Sequence, residues 1–457
     1  MYERNIRIMG RLFGTDGARG VAITELTCEM AMQIGRAAAL VLTKEAKHRA
    51  KIFIGKDTRI SSDILEAALC AGICSVGAEA VKLGVVPTPA VAYLVRTHGA
   101  DAGVMISASH NSVEFNGIKL FAATGYKLPD AIEAEIEALI LDHPEQITLQ
   151  SGTAVGAISE YANAKEDYIS YLASCIAADC TGMRVVLDCA NGSSSATAES
   201  LFTRLGAEVH MLSASPDGTN INKNCGSTHM ETLCQGVVAG KYDLGVAFDG
   251  DADRCLAVDE KGKEIDGDQI MAVCAEYLTA QGKLRSEGFV ATVMSNLGLH
   301  EFCRENGVGL VCTSVGDRNV LEKMNECGYK LGGEQSGHTI FTDYATTGDG
   351  QLTALQFLDV LARSGKKASE LASVCPQYPQ VLLNVAVSHE RGVKDAIMAS
   401  DALSAAIAEE EGKLSGEGRV LVRPSGTEAL IRVMVEAKTE QIALLAAENL
   451  VNVIKML

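Results

Sequence analysis

Short apolar runs that end in polar loops recur along most of the chain. Residues 51–59, KIFIGKDTR, form the first, and an Ala-rich helical stretch follows from Ser61 to Gly77. A second run, Val81 to Val86, leads into Pro87-Thr88-Pro89, and a third, Gly103 to Ile106, ends in SASHN. Strands separated by helical segments predict a mixed or parallel α/β layer, with ligand groups collecting in the loops at strand ends. The same order returns: Arg184 to Leu187 ends in DCANG, Glu208 to Leu212 in SASPDGTN, and Leu244 to Phe248 in DGDADR. A third pass runs from Phe289 to Met294, ending in SN, through Gly309 to Thr313, ending in SVGDR, to Tyr329 to Leu331, ending in GGEQSGH. Few residues match between passes, so the repeat is architectural. Three tandem related mixed-sheet α/β domains are its simplest account, expected over residues 1–155, 156–256 and 257–374. One polar loop per domain, converging in a central cleft, would let an enzyme surround a small substrate.

After Pro376 and Pro379 the pattern changes. An alternating run, Val381 to Val387, precedes a charged helical stretch through Glu411; Gly418 to Val422 and Ile431 to Glu436 then flank RPSGTEAL, and an apolar helix runs to Leu457. This predicts a smaller C-terminal α+β domain over residues 375–457, on a flexible proline-containing linker and able to close over a ligand.

Composition narrows the reading. A chain of 457 residues exceeds what one core supports. A net charge of −18 argues against nucleic acid as a partner, and an anionic substrate would need local Arg and Lys clusters. No apolar stretch has signal-peptide or membrane-spanning length, so no membrane partner and a cytoplasmic location are expected. The fourteen cysteines include no C-x-x-C pair and read as reduced, core-filling thiols without a metal role.

The candidate chemistry lies in the loops. If the backbone of Asp249-Gly250-Asp251-Ala252-Asp253 stays extended, three carboxylates share a side and repel unless a cation sits among them. Hard oxygens suit a small divalent ion such as Mg²⁺. A solvated acidic turn would read the same way. A calcium loop fits in part, with Glu260 at the twelfth position, but Arg254 occupies the place of its glycine and strand-like runs replace the flanking helices. Ser109 in SASHN is a candidate nucleophile; its neighbour His110 would point to the opposite side of an extended segment. Arg423, Ser425, Gly426 and Thr427 could cradle a phosphate that is not transferred, or form an ordinary turn. Glu334 and Ser336 in GGEQSGH could bind sugar hydroxyls. Arg19, in FGTDGARG, suggests a loop reaching a phosphate, and Lys119, Arg254 and Arg318 are further basic groups beside polar loops.

Taken in order, FGTDGARG, SASHN with NGIK, DGDADR, GGEQSGH and RPSGTE resemble the α-D-phosphohexomutases across nearly the whole chain. The FGTDG opening, Gln335 and DYATTGDG are most similar to the bacterial members acting on glucosamine phosphates. The resemblance implies three related α/β domains, a C-terminal domain of different fold, and one Mg²⁺ per active site. It implies reversible conversion of glucosamine 6-phosphate to glucosamine 1-phosphate, a small-molecule sugar phosphate, serving amino-sugar nucleotide and cell-wall precursor synthesis. The route would be a phosphoserine enzyme, with glucosamine 1,6-bisphosphate as intermediate and primer. Ser109 matches the phosphorylated serine and, with Asp249, Asp251 and Asp253, the metal ligands. Glu334 and Ser336 match sugar contacts, and Arg423, Ser425, Gly426 and Thr427 the distal phosphate site. Arg19, Lys119, Arg254 and His338 match groups that stabilise transfer or move protons, and Arg318 is counted with the substrate-binding residues. Ala18, Ser112 and Val113 to Phe115 depart from the common pattern without removing a functional group. Glucose or mannose phosphates remain alternative substrates, a metal-dependent phosphatase an alternative activity, and a homodimer an open expectation.

Overall fold

The computed structural model describes residues 11–457 except Thr15, Glu45, residues 285–287, His389, Arg391 and residues 426–428. Its first sheet contains β1 (Ala18–Val21), β2 (Lys51–Lys56), β3 (Glu79–Val85), β4 (Ala102–Ile106), β5 (Phe115–Ala122) and β6 (Ile158–Glu160), in the order β1-β5-β4-β2-β3-β6. The second contains β7 (Arg184–Asp188), β8 (Glu208–Leu212), β9 (Leu244–Phe248), β10 (Cys255–Val258) and β11 (Glu264–Ile265), in the order β11-β10-β9-β7-β8. The third contains β12 (Phe289–Thr292), β13 (Leu310–Thr313), β14 (Leu331–Gly333) and β15 (Thr339–Phe341), in the order β13-β12-β14-β15.

One plan underlies all three. The first strand of each pass lies between the third and the second, all parallel (β4-β2-β3, β9-β7-β8, β14-β12-β13). An antiparallel fourth strand then folds back on the third: β5, β10 and β15. The loops SASHN and DGDADR, and residues 334–338 of GGEQSGH, whose two glycines end β14, therefore lie in the connections from strand three to strand four of their sheets. The third strands AGVMI and LGVAF are buried at every position, as apolar runs covered on both faces must be. In the first domain the helix Cys28–Leu42 packs closely on Ile60–Ser75 because glycines stand at the crossing. A Cβ on Gly72 would lie 2.2 Å from the Met32 carbonyl oxygen, and one on Gly35 2.7 Å from that of Leu69.

The chain divides into two compact units, residues 1–294 with 308–374, and residues 295–307 with 375–457. The first holds the three α/β sheets. The second is built on β16 (Gln380–Ala386), β17 (Gly418–Pro424) and β18 (Leu430–Ala437), antiparallel in the order β16-β18-β17. Ile431, Val433 and Val435 of β18 pack on Ala443, Ala447 and Leu450 of the last helix, Glu440–Met456. The stretch 295–307, which a boundary at residue 374 places in the third α/β domain, belongs by its contacts to this second unit. Glu436, fully buried in β18, accepts hydrogen bonds from the Leu297 N–H (2.8 Å) and from Arg419 Nε (2.7 Å), and Arg419 also donates to the Ser295 carbonyl (2.5 Å). All fourteen cysteines are free thiols. No helix among the described residues is long and apolar enough to cross a membrane.

Candidate active site

Ser109 follows β4 in a left-handed conformation, φ +51°, and is buried. That conformation brings its Oγ within 3.3 Å of His110 Nδ1, although extended neighbours would face apart. The hydroxyl donates to Asp249 Oδ2 at 2.5 Å, across to the second domain. Its backbone N–H donates to Ser107 Oγ (3.0 Å), which donates to Asp57 (2.7 Å), which pairs with the fully buried Arg59 (2.9 Å). Burial, with Arg254 and Arg19 nearby, pushes the His110 imidazole down to about 4, so it is neutral at pH 7.

The Asp loop departs from the extended backbone expected of it. Residues 249–254 form a turn between β9 and β10, with Ala252 at φ +56°. A strand rises by about 3.3 Å per residue, so extended Asp249 and Asp253 would stand roughly 13 Å apart, too far for one ion. The turn instead brings a carboxylate oxygen from each aspartate within 4.8 Å of the others, all three residues buried. Asp251 Oδ1 and Asp253 Oδ1 are buried without a hydrogen-bond partner among the described residues. Burial and the charges of Asp253 and Asp251 push Asp249 up to about 8. Three buried carboxylates gathered this closely, two of them with an oxygen that accepts no hydrogen bond among the described residues, fit a hard divalent cation. The calcium-loop alternative lacks its twelfth ligand, since Glu260 accepts from the Ser369 N–H (3.1 Å) and hydroxyl (2.6 Å).

Cations ring the carboxylates. Lys119 of β5 is buried and donates to Asp251 (2.9 Å) and Asp253 (3.3 Å), with Asp16 at 3.1 Å. Burial opposes its charge, but Asp16, Asp251 and Asp253 prevail and raise its pKa well above the usual value. Lys127 bridges Asp16 (2.5 Å) and Asp317, and Arg19 pairs with Asp16. His338 sits between Asp253 (3.6 Å) and Asp317 (3.8 Å), and its Nε2 accepts from the Gly348 N–H (3.2 Å). Burial works against its protonation, yet the two carboxylates leave its pKa raised. Arg254 is held by its N–H to Asp249 (3.2 Å), and its Nε has no hydrogen-bond partner among the described residues. Thr88 seals Asp251 through its hydroxyl (2.6 Å). Asp16, Lys127, Thr88 and Asp317 were not singled out from sequence, although three of them lie inside the quoted runs FGTDGARG, PTP and SVGDR.

In the third loop Glu334 is buried and accepts from the Gly316 N–H (2.9 Å), while Ser336 is exposed. Gln335 donates to Asp266 (3.0 Å), the cap of helix Gly267–Ala280, which fixes the loop to the domain body. Arg318 pairs with Asp130 and with Glu133 (3.0 Å) on helix Asp130–Leu141, so contact with substrate would require that pairing to open. In the second unit Arg423 of β17 stands opposite Arg432 of β18, and burial with that like charge lowers its pKa. Ser425 is buried and its carbonyl accepts from Lys394 (2.7 Å). Gly426 and Thr427 lie outside the described residues.

A buried hydroxyl facing three carboxylates, with lysine, arginine and imidazole around them, suits transfer of a phosphoryl group, which depends on positioning and charge neutralisation. Comparison with known proteins agrees. Models of the phosphoglucomutase/phosphomannomutase family match in order: α/β/α domain I at residues 10–146, domain II at 166–262, domain III at 266–378, and the C-terminal domain at 382–453. The phosphoglucosamine mutase of Acetivibrio thermocellus is 54% identical over 447 residues, covering 98% of this chain and 99% of its own. That of Caldicellulosiruptor saccharolyticus is 54% identical over 449 residues, with the same coverage. Among solved structures, a phosphoglucomutase/phosphomannomutase family protein from Burkholderia thailandensis is similar with a TM-score of 0.79 at 24% identity, over 98% of each chain. Aspergillus fumigatus N-acetylphosphoglucosamine mutase, in complex with GlcNAc-6P and magnesium, gives 0.71 at 19% identity, over 97% of this chain and 95% of that one. At those identities the two structures speak to the fold.

Proposed function

Because the chain belongs to the phosphoglucomutase/phosphomannomutase family, we propose that it interconverts glucosamine 6-phosphate and glucosamine 1-phosphate. The observation that carries this reading is the Ser109 hydroxyl held 2.5 Å from Asp249 at the mouth of the carboxylate triad. Ser109 carries a phosphoryl group as phosphoserine and yields it to the free hydroxyl of the sugar phosphate. The P–Oγ bond breaks, a P–O bond to the sugar forms, and the hydroxyl proton leaves to His338 in its neutral form. The resulting glucosamine 1,6-bisphosphate turns around, and its other phosphate returns to Ser109. Asp249, Asp251 and Asp253 would hold one Mg²⁺, which when bound supplies positive charge against the transferring phosphoryl oxygens. Lys119, kept charged by three carboxylates, with Arg19 and Arg254, adds cationic stabilisation. Glu334 and Ser336 are assigned to sugar hydroxyls, and Arg423 and Ser425 to the phosphate that is not transferred. The further expectation, that it supplies amino-sugar nucleotides and cell-wall precursors in the cytoplasm, rests on that activity, which the fourfold match to the family and the two relatives named support.

An NMR assay of glucosamine, glucose and mannose 6-phosphates, each with Mg²⁺ and its bisphosphate primer, tests the substrate. Glucosamine should give the highest kcat/KM, and a preference for glucose or mannose would reassign it. Ser109→Ala should remove mutase turnover in a folded protein; full activity would sink the phosphoserine. Steady release of inorganic phosphate in place of isomerised sugar would identify a phosphatase.

A further inference from the structure

The carbonyl oxygens of Ser109 and Asn111 are each gripped twice. Arg59 Nη2 donates to both, at 3.0 and 2.8 Å, from within the first α/β domain. Asn222 Nδ2 donates to both, at 2.8 and 2.9 Å, from the second. Asn222 is buried at φ +56°, and its own N–H donates to the Ala190 carbonyl at 2.8 Å, so its carboxamide is aimed by a backbone fixed beside β7. Gly250 of the Asp loop closes on the same point: a Cβ there would stand 2.6 Å from the Ser109 carbonyl oxygen and 2.9 Å from Asn222 Nδ2.

We infer that Asn222 is a positioning residue for phosphoryl transfer, holding the left-handed Ser109 turn so that its oxygen faces Asp249. This rests on the function proposed above. A left-handed serine is unfavourable and persists only where its surroundings determine it. Arg59 anchors the loop to its own domain alone. Asn222 shares a domain with the three aspartates, so it sets where the phosphoserine stands relative to the triad.

Two variants separate backbone from side chain. Asn222→Gly suits the positive φ and removes both donated bonds; Asn222→Asp keeps the size and turns only acceptors toward the carbonyls. Each should lower kcat by about 10–100-fold, as displacement of a reacting group by an ångström does, with KM for glucosamine 6-phosphate within about twofold of wild type. The ³¹P resonance of the phosphoserine should shift while the melting temperature of Asn222→Gly stays near that of the parent. A kcat within about twofold of wild type in Asn222→Gly, or a loss confined to KM, would overturn the inference. A parent protein that neither carries phosphoserine nor turns over glucosamine phosphate would overturn the proposed function and this inference with it. An active parent beside an undiminished Asn222→Gly would overturn the inference alone.

Discussion

Gly250 has no room for a side chain. An added Cβ would meet the Ser109 carbonyl oxygen, Ile221 Cδ1 (2.8 Å) and Asn222 Nδ2, so either the serine turn or the Asp loop must move. Gly250→Ala should therefore lower kcat by about 100-fold with the circular dichroism spectrum unchanged. The orphan oxygens of Asp251 and Asp253 set a second expectation. Asp253→Asn replaces the carboxylate by a neutral amide with a single acceptor oxygen and should weaken divalent-ion affinity at least about tenfold, measured by calorimetric titration of Mg²⁺ or by Mn²⁺ resonance. Unchanged affinity would remove the triad from the metal site. At this scale the sequence was legible where chemistry is local: Ser109, the three aspartates and Lys119 stand inside short runs. The turn that unites the aspartates was not, because alternation alone does not distinguish a strand from a loop with a left-handed Ala252. Asn222 was invisible for a different reason, since the carbonyl it grips is 113 residues away and offers no side-chain signal.

The segment 346–350 is short, yet it braces all three sheets' loops. Thr346 donates to the Gly125 carbonyl (2.6 Å), the Gly348 N–H to His338, and the Gly350 N–H to the Ala252 carbonyl (3.0 Å). Asp349 caps helix Gly350–Ser364, accepting from the Leu352 N–H (2.9 Å) and from the Tyr168 hydroxyl (2.9 Å). Burial pushes its carboxyl up to about 6, against the lowering effect of the hydrogen bonds it accepts. The folded chain thus binds this proton more tightly than the unfolded chain. The stability linked to it is fully present below about pH 4 and lost as pH rises through about 6, a change of roughly 3 kcal/mol. Asp349→Asn keeps an oxygen for the cap and never ionises. Relative to wild type its melting temperature should improve between pH 4.5 and 7.5, and a difference that does not vary with pH would place the ionisation elsewhere. Elements of this kind were partly legible: the three strands of each pass stand close to their apolar runs. The antiparallel return strand common to all three was missed as a repeat, because Phe115–Ala122, Cys255–Val258 and Thr339–Phe341 differ in length and composition. Only backbone pairing makes them equivalent.

At the scale of the whole molecule, chain order and physical grouping diverge at one place. Helix Leu297–Asn306 follows β12 of the third sheet, yet it belongs with the C-terminal unit, and Glu436 is the reason. Its carboxylate takes the N–H of Leu297 at the start of that helix, the Gln380 amide (2.8 Å) and the Arg419 guanidinium, with Asn296 Nδ2 at 3.4 Å. Gly298 lets the helix approach, since a Cβ there would lie 1.5 Å from the Pro376 carbonyl oxygen. None of this shows in the order of apolar runs, which reads the helix as an ordinary crossover between β12 and β13. Removing one partner of a buried ion pair leaves the other charge unpaired, at a cost of about 3–5 kcal/mol. Glu436→Ala should therefore destabilise the C-terminal unit and the helix together. In hydrogen-exchange mass spectrometry, peptides from 295–307 and from β16–β18 should lose protection in concert, while β2, β4, β7 and β9 keep theirs. Loss of protection in the C-terminal strands with residues 295–307 unaffected would mean that the helix draws its stability from the third sheet.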